Sequence, residues 1–137
     1  MKYKHVKQHD ATDCAAACLA MICLYYKKET TITRLRDLMG TDLKGTNLIG
    51  VSKCAEKLGF ENVSVRVDND GFKSKFTLPC IANVITKEGF SHFVVIYKIG
   101  KKNVIIGDPG TERIEKQDIN DNIIFRKFKQ YFSIIGR

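Results

Sequence analysis

The chain has 137 residues, enough for one domain with one core, and its 44% hydrophobic and 28% charged side chains describe an ordered globular protein. The longest apolar run, Cys14 to Tyr26, falls short of a bilayer span, and the first ten residues carry no apolar signal-peptide region. A net charge of +8 invites a nucleic-acid reading, but the basic residues are scattered apart from Arg126-Lys127-Phe128-Lys129. No RNP-like stretch, zinc-finger spacing or glycine-rich phosphate loop accompanies them, so a lysine-biased solvated surface accounts for the charge.

In chain order, residues 5–12 read as an extended lead-in. Asp13 is placed to cap a first helix over Cys14–Tyr26, apolar nearly all round and therefore buried. Thr30 or Thr31 caps a second helix with Ile32, Leu35 and Leu38 on one face and Gly40 as its stop. A polar loop, Thr41 to Gly45, leads into a third helix after Thr46. That helix carries Leu48, Val51, Cys54, Ala55 and Leu58 and ends at Gly59.

The period then changes. Val63, Val65 and Val67 alternate with Ser64 and Arg66, the pattern of a half-buried strand. A turn or short helix is expected over Asp68–Phe76. Strands follow at Cys80–Ile85, His92–Tyr97 and Val104–Ile106, with turns at Lys87-Glu88-Gly89 and Gly100–Asn103. An amphipathic segment over Ile119–Phe128 and a short strand over Tyr131–Ile135 complete the chain. Helices first and hairpin-linked strands second give an α+β class with an antiparallel sheet.

The five cysteines are an odd number, and three fall in one helical stretch. That is no disulfide framework and fits a reducing compartment. Cys18, Cys23, Cys54 and Cys80 sit among apolar neighbours and read as structural. Cys14 differs, because it opens a helix beside polar Asp10, Thr12 and Asp13, where unpaired N–H groups and the helix dipole favour a thiolate.

Thiol-based hydrolysis needs a nucleophile, a base, a group that orients the base, and an oxyanion donor. Cys14 supplies the first. His92, opening an apolar strand, supplies the second. Asp108 ends the next strand of a hairpin and can reach His92. Gln8, upstream of Cys14, can donate to an oxyanion alongside the Cys14 N–H. Each has a plainer alternative: a buried cysteine, a strand-end histidine, a turn aspartate before Pro109, a surface glutamine. The ordered set outweighs them. His5 and His9 with Cys14 and Cys18 could make a His₂Cys₂ zinc site, but the spacing matches no common finger and Cys18 should face the core.

Several stretches carry a resemblance: Gln8-His-Asp-Ala-Thr-Asp-Cys14-Ala-Ala-Ala-Cys18-Leu, Gly45-Thr-Asn-Leu48, Ala55-Glu-Lys-Leu-Gly-Phe60, Leu78-Pro-Cys-Ile-Ala-Asn-Val84, Ser91-His-Phe-Val-Val-Ile-Tyr97 and Ile106-Gly-Asp-Pro109. In this order, over almost the whole chain, they resemble the papain-like bacteriocin-processing peptidase domain at the front of peptidase-containing ABC transporters. The resemblance implies a papain-like fold and cleavage after a double-glycine-type leader motif (Gly-Gly, Gly-Ala or Gly-Ser). It also implies Cys14 as nucleophile, His92 as general base and acid, Asp108 as its orienter and Gln8 in the oxyanion hole.

The implied partner is a precursor peptide with an amphipathic helical leader, with no nucleic acid. The implied setting is the cytoplasmic side of a bacterial membrane, and residues 1–137 would be the front of a longer membrane transporter. No cofactor is expected for this domain; ATP and magnesium belong to a nucleotide-binding domain beyond it. The competing reading is a non-catalytic leader-binding module.

Two departures from the family pattern matter. Ala15 stands where glycine usually follows the cysteine, and its methyl group is expected to shape the cleft beside the nucleophile. The Asp108-Pro109-Gly110 segment has shorter spacing than many members, expected to alter the following loop and not the aspartate itself.

Overall fold

A computed structural model describes residues 3–10, 12–40, 48–66, 77–85, 91–118 and 130–136. The helices are α1 (Cys14–Tyr25), α2 (Ile32–Met39) and α3 (Leu48–Lys57). The strands are β1 (Glu61–Arg66), β2 (Cys80–Ile85), β3 (Ser91–Ile99), β4 (Asn103–Gly107), β5 (Glu115–Asp118) and β6 (Gln130–Gly136). The strands form one sheet in the order β1-β6-β2-β3-β4-β5, with every pairing antiparallel. The expected α+β class with an antiparallel sheet is the class observed. The expected loop over 41–45, the residues 68–76, the turn at 87–89, the segment 119–128 and the basic cluster 126–129 lie outside the described residues.

Helix α1 is the centre of the molecule. Residues Ala15 through Cys23 are all buried, and the helix touches β2 and β3 as well as α2 and α3. An apolar surface on every side is what such a surrounded helix requires. Full burial of side chains such as Leu19, Met21 and Ile22 is worth about 1.5–3 kcal/mol each. The second helix follows its local code: Thr31 Oγ1 accepts the Arg34 N–H at 3.1 Å, and Gly40 ends the helix with φ 69°.

The sheet is apolar on both faces. Ile81, Phe93, Val95, Tyr97, Phe132 and Ile134 join the helices in one cluster; Cys80, Ala82, Val84, Val94, Ile96, Val104, Ile106 and Tyr131 form a second. That is why β2 and β3 read as continuous apolar runs instead of alternating ones.

Two expectations need correction. The expected half-buried strand is less buried than its valines suggest: β1 is a sheet edge, Val63 is 37% exposed, Val65 and Asn62 are partly covered, and Val67 lies outside the described residues. At the opposite edge, β5 was not expected. Its sequence, Glu115-Lys-Gln-Asp118, has no apolar residue, and backbone pairing with β4 creates it. Charged side chains suit such an edge.

Candidate active site

Three elements converge on one end of the sheet: the start of α1, the start of β3 and the turn after β4. Cys14 is the first residue of α1, and it is partly exposed while the other four cysteines are buried. Asp13 stands at the cap position, as expected, but its side chain does not cap. The carboxylate is fully buried and accepts from Arg36 Nη1, at 3.0 Å to Oδ1 and 3.4 Å to Oδ2. Nothing acidic therefore competes within the first turn, which leaves the positive end of α1 to the Cys14 sulfur.

Burial explains the silence of the other cysteines. It pushes the Cys18 and Cys80 thiols far up, Cys23 to about 12 and Cys54 to about 11.

His92 Nε2 donates to Asp108 Oδ1 at 2.8 Å. The Cys14 side chain faces the same ring and acts on its charge. With Nε2 committed, Nδ1 is the nitrogen that serves the thiol. The Asp108 bond, then the Cys14 contact, raise His92 from its ordinary 6.5 to about 9, against the opposing effect of burial. Burial pushes the Asp108 carboxyl up, but His92, the Gly110 N–H and His5 outweigh it and hold the group below its usual 3.8. The ring and carboxylate are 21% and 23% exposed, so their attraction is only partly screened by water.

The turn after β4 is built for close approach. At Gly107 a Cβ would lie 2.7 Å from Met21 Sδ, so glycine lets β4 press against α1 immediately before Asp108. Gly110 N–H donates to Asp108 Oδ1 at 2.8 Å, the oxygen that also receives His92. A Cβ at Gly110 would sit 3.2 Å from that oxygen, 3.8 Å from His92 Nε2 and 3.9 Å from Gln8 Oε1. Gly110 thus bears on the Asp108 carboxylate itself.

Residues 3–8 form an arm along this turn. Gln8 N–H donates to the Pro109 carbonyl at 2.9 Å, His5 Nε2 to the Asp108 carbonyl at 2.8 Å, and Lys7 pairs with Glu112. The Gln8 side chain thereby reaches the site. Its Nε2 donates to the Asp10 carbonyl at 3.0 Å, so one amide hydrogen is committed and an oxyanion donor must be the other. Gln8 Oε1 is buried without a partner.

Ala15 is corrected. It is 1% exposed and belongs to the core cluster, so its methyl group packs inward and lines no cleft. His5, His9, Cys14 and Cys18 are not gathered either: His5 is engaged with Asp108 and Cys18 is buried. Among the described residues no three His, Cys, Asp or Glu side chains are grouped to hold a metal ion.

The arrangement can do one kind of chemistry well. A thiol at a helix start faces an imidazolium held by a carboxylate, with a backbone N–H and a glutamine amide nearby, and this suits attack on an acyl carbon. A family model described as "Peptidase C39 family" matches residues 2–135. The chain belongs to the peptidase C39 family.

Among curated C39 relatives, the lactococcin-G-processing and transport ATP-binding protein LagD of Lactococcus lactis subsp. lactis is 41% identical over 114 residues, covering 82% of this chain and 16% of LagD. The mesentericin-Y105 transport/processing protein MesD of Leuconostoc mesenteroides is 34% identical over 125 residues, covering 88% of this chain and 17% of MesD. The chain therefore spans about a sixth of the length of these relatives.

Two solved peptidase structures share the fold. The peptidase domain of Streptococcus ComA, a bifunctional ABC transporter, matches with TM-score 0.82 at 28% identity, covering 98% of this chain and 99% of that one. A double glycine motif protease from an AMS/PCAT transporter, solved with its leader peptide, matches with TM-score 0.83 at 28% identity, covering 98% and 92%. The papain-like expectation for the fold holds.

Sequence reasoning missed three contributors. Arg36 carried no signal in the sequence, and only the fold shows its partner Asp13. Gly110 was noted only for its spacing, and the fold shows its N–H on the Asp108 carboxylate. The third is a groove of about 380 Å³ where the start of α3 meets the ends of β1 and β6, lined by Leu48, Ile49, Ser64, Val65, Arg66 and Gln130. It opens at the same end of the sheet as His92: Gln130 pairs with Asn83, Asn83 with Phe93, and Ser91 Oγ donates to Asn83 Oδ1 at 2.7 Å.

Proposed function

We propose that this domain is an active cysteine endopeptidase that removes leaders from bacteriocin-type precursor peptides by cutting after a double-glycine-type motif. The observation that carries the reading is the line Cys14–His92–Asp108 at the open N-terminus of α1. Cys14 sulfur attacks the carbonyl carbon of the second small residue. The Cys14 N–H and the free Gln8 amide hydrogen stabilise the oxyanion, and His92 gives its proton to the leaving amine. Water, deprotonated by His92, then attacks the thioester and releases the leader with a free carboxyl end, restoring Cys14.

The leader docks as an amphipathic helix with its apolar face in the groove at Ile49, which is 65% exposed, and its C-terminal end runs toward His92. The net charge of +8 attracts an acidic leader. In the full-length protein the domain is the front of an ABC transporter on the cytoplasmic side of the membrane, where processing is coupled to ATP-driven export; ATP and magnesium act in the nucleotide-binding part. The leader peptide in the AMS/PCAT complex and the transport names of the relatives support this reading.

Iodoacetamide labelling separates this peptidase from a non-catalytic leader-binding module. Fast modification confined to Cys14 near neutral pH is expected of a partly exposed thiol that opens a helix beside His92. Modification of Cys14 no faster than that of an ordinary free thiol would favour the module, because burial shields the other four cysteines in either case.

A further inference from the structure

We propose that His5 is a positioning residue for the catalytic pair, pinning the backbone of Asp108 so that its carboxylate meets His92. The inference rests on the peptidase reading above. Its basis is a pair of bonds: the arm's His5 and Gln8 donate to two adjacent carbonyls, those of Asp108 and Pro109, at 2.8 and 2.9 Å. A carbonyl only accepts, so His5 Nε2 carries a proton here in either charge state. Thr111 satisfies the Asp108 carbonyl from the turn's own side, its N–H at 3.1 Å and its hydroxyl at 3.0 Å.

The Asp108 backbone is thus gripped between its own turn and the arm, while its carboxylate is held by Gly110 N–H and His92. The arm is itself fastened to the sheet, because Tyr97 of β3 donates its hydroxyl to the Lys4 carbonyl beside His5. His92 and His5 are therefore tied to one strand, β3, by separate routes, and Asp108 sits between them. Loss of the His5 bond frees one side of that grip.

Among the described residues, four charged or titratable groups bear on the pair and on His5: Cys14, Asp108, His5 and, through its attraction to His5, Glu112. Cys14 faces His92 from α1, Asp108 faces it from the turn, and His5 faces Asp108 from the arm. Lys7 and Glu112 pair with each other farther along the same arm and turn.

The test compares wild type with His5→Ala, His5→Asn and His5→Gln. Glutamine Nε2 can reach the same carbonyl, and asparagine is one bond too short. Two readouts are taken: the His92 ring titration by NMR without substrate, and kcat/KM against pH on a double-glycine precursor peptide. His5→Ala and His5→Asn are expected to lower the His92 midpoint by about half a unit or more. They should move the alkaline limb of kcat/KM down with it and reduce kcat about tenfold at pH 8 with KM unchanged, a part of what acid–base catalysis supplies.

His5→Gln should restore both readouts. A variant that lowers Tm but keeps the wild-type His92 midpoint and pH profile would overturn the proposal, since that marks a merely structural arm. Failure of His5→Gln to restore the midpoint that His5→Asn has lost would overturn it as well. If His5→Ala does not fold, the glutamine and asparagine pair decides alone. Absence of cleavage by wild type would overturn the peptidase reading instead, and the NMR titration would still decide the role of His5.

Discussion

His92 Nε2 and Asp108 Oδ1 stand 2.8 Å apart across the open end of the β3–β4 hairpin, and the Gly110 N–H shares the same carboxylate oxygen. The pair stabilises the imidazolium, which is the form able to protonate a leaving amine. Asp108→Ala should lower kcat about 10²–10⁴-fold with little change in fold, as steady-state kinetics on a precursor peptide will show.

The same pair sets a pH dependence of stability. His92 is raised from 6.5 in the unfolded chain to about 9 in the fold. Its contribution is therefore complete below about 6.5 and is lost as pH rises through about 9. Asp108 is lowered, so its contribution is present above its ordinary 3.8 and is lost only as pH falls through its lower folded value. Thermal melting between pH 6 and 10 should show Tm falling across the upper window in wild type. Asp108→Asn should flatten that fall; an unchanged slope would assign it to other groups.

The buried Asp13 carboxylate depends on Arg36, whose side chain is 33% exposed and also lies 3.7 Å from Asp10. Arg36→Met leaves a buried charge without its partner beside the nucleophile and should cost about 3 kcal/mol of stability, measured by denaturant titration. Adding Asp13→Asn to that variant should recover part of the loss. If the double variant is less stable than Arg36→Met alone, the Asp13–Arg36 pair is not the source.

The groove reading assigns Ile49 to binding and not to chemistry. Ile49 is 65% exposed, so a charged side chain there is tolerated by the fold. Ile49→Glu should raise KM about tenfold for a full precursor, equivalent to about 1.4 kcal/mol, with kcat nearly unchanged. Equal KM for both proteins would move the docking surface elsewhere.

Much of the fold was legible because local codes and burial agree in it. The Thr31 cap, the Gly40 stop, the apolar α1 and the β2 and β3 runs all read correctly, since each residue's preference matches its place. The edges did not. β5 has no apolar signal and exists through pairing with β4, while of the β1 valines Val63 is exposed and only Val65 packs against the core. At the site, the sequence brought forward Cys14, His92, Asp108 and Gln8, and the fold gathers them at one end of the sheet. The roles of Asp13 and Ala15 were misread for one reason: which way a side chain points at a helix start depends on what packs there. Arg36 takes the carboxylate of Asp13, and the core takes the methyl of Ala15.

The central claim is that Cys14 cleaves a leader after a double-glycine-type motif. Mass spectrometry of precursor peptides incubated with the purified domain, wild type against Cys14→Ala, tests it most directly. One cut after the second small residue is expected in wild type, and an intact peptide that still binds in Cys14→Ala. Undiminished cleavage by Cys14→Ala, or a wild type that binds the leader and never cuts it, would contradict it.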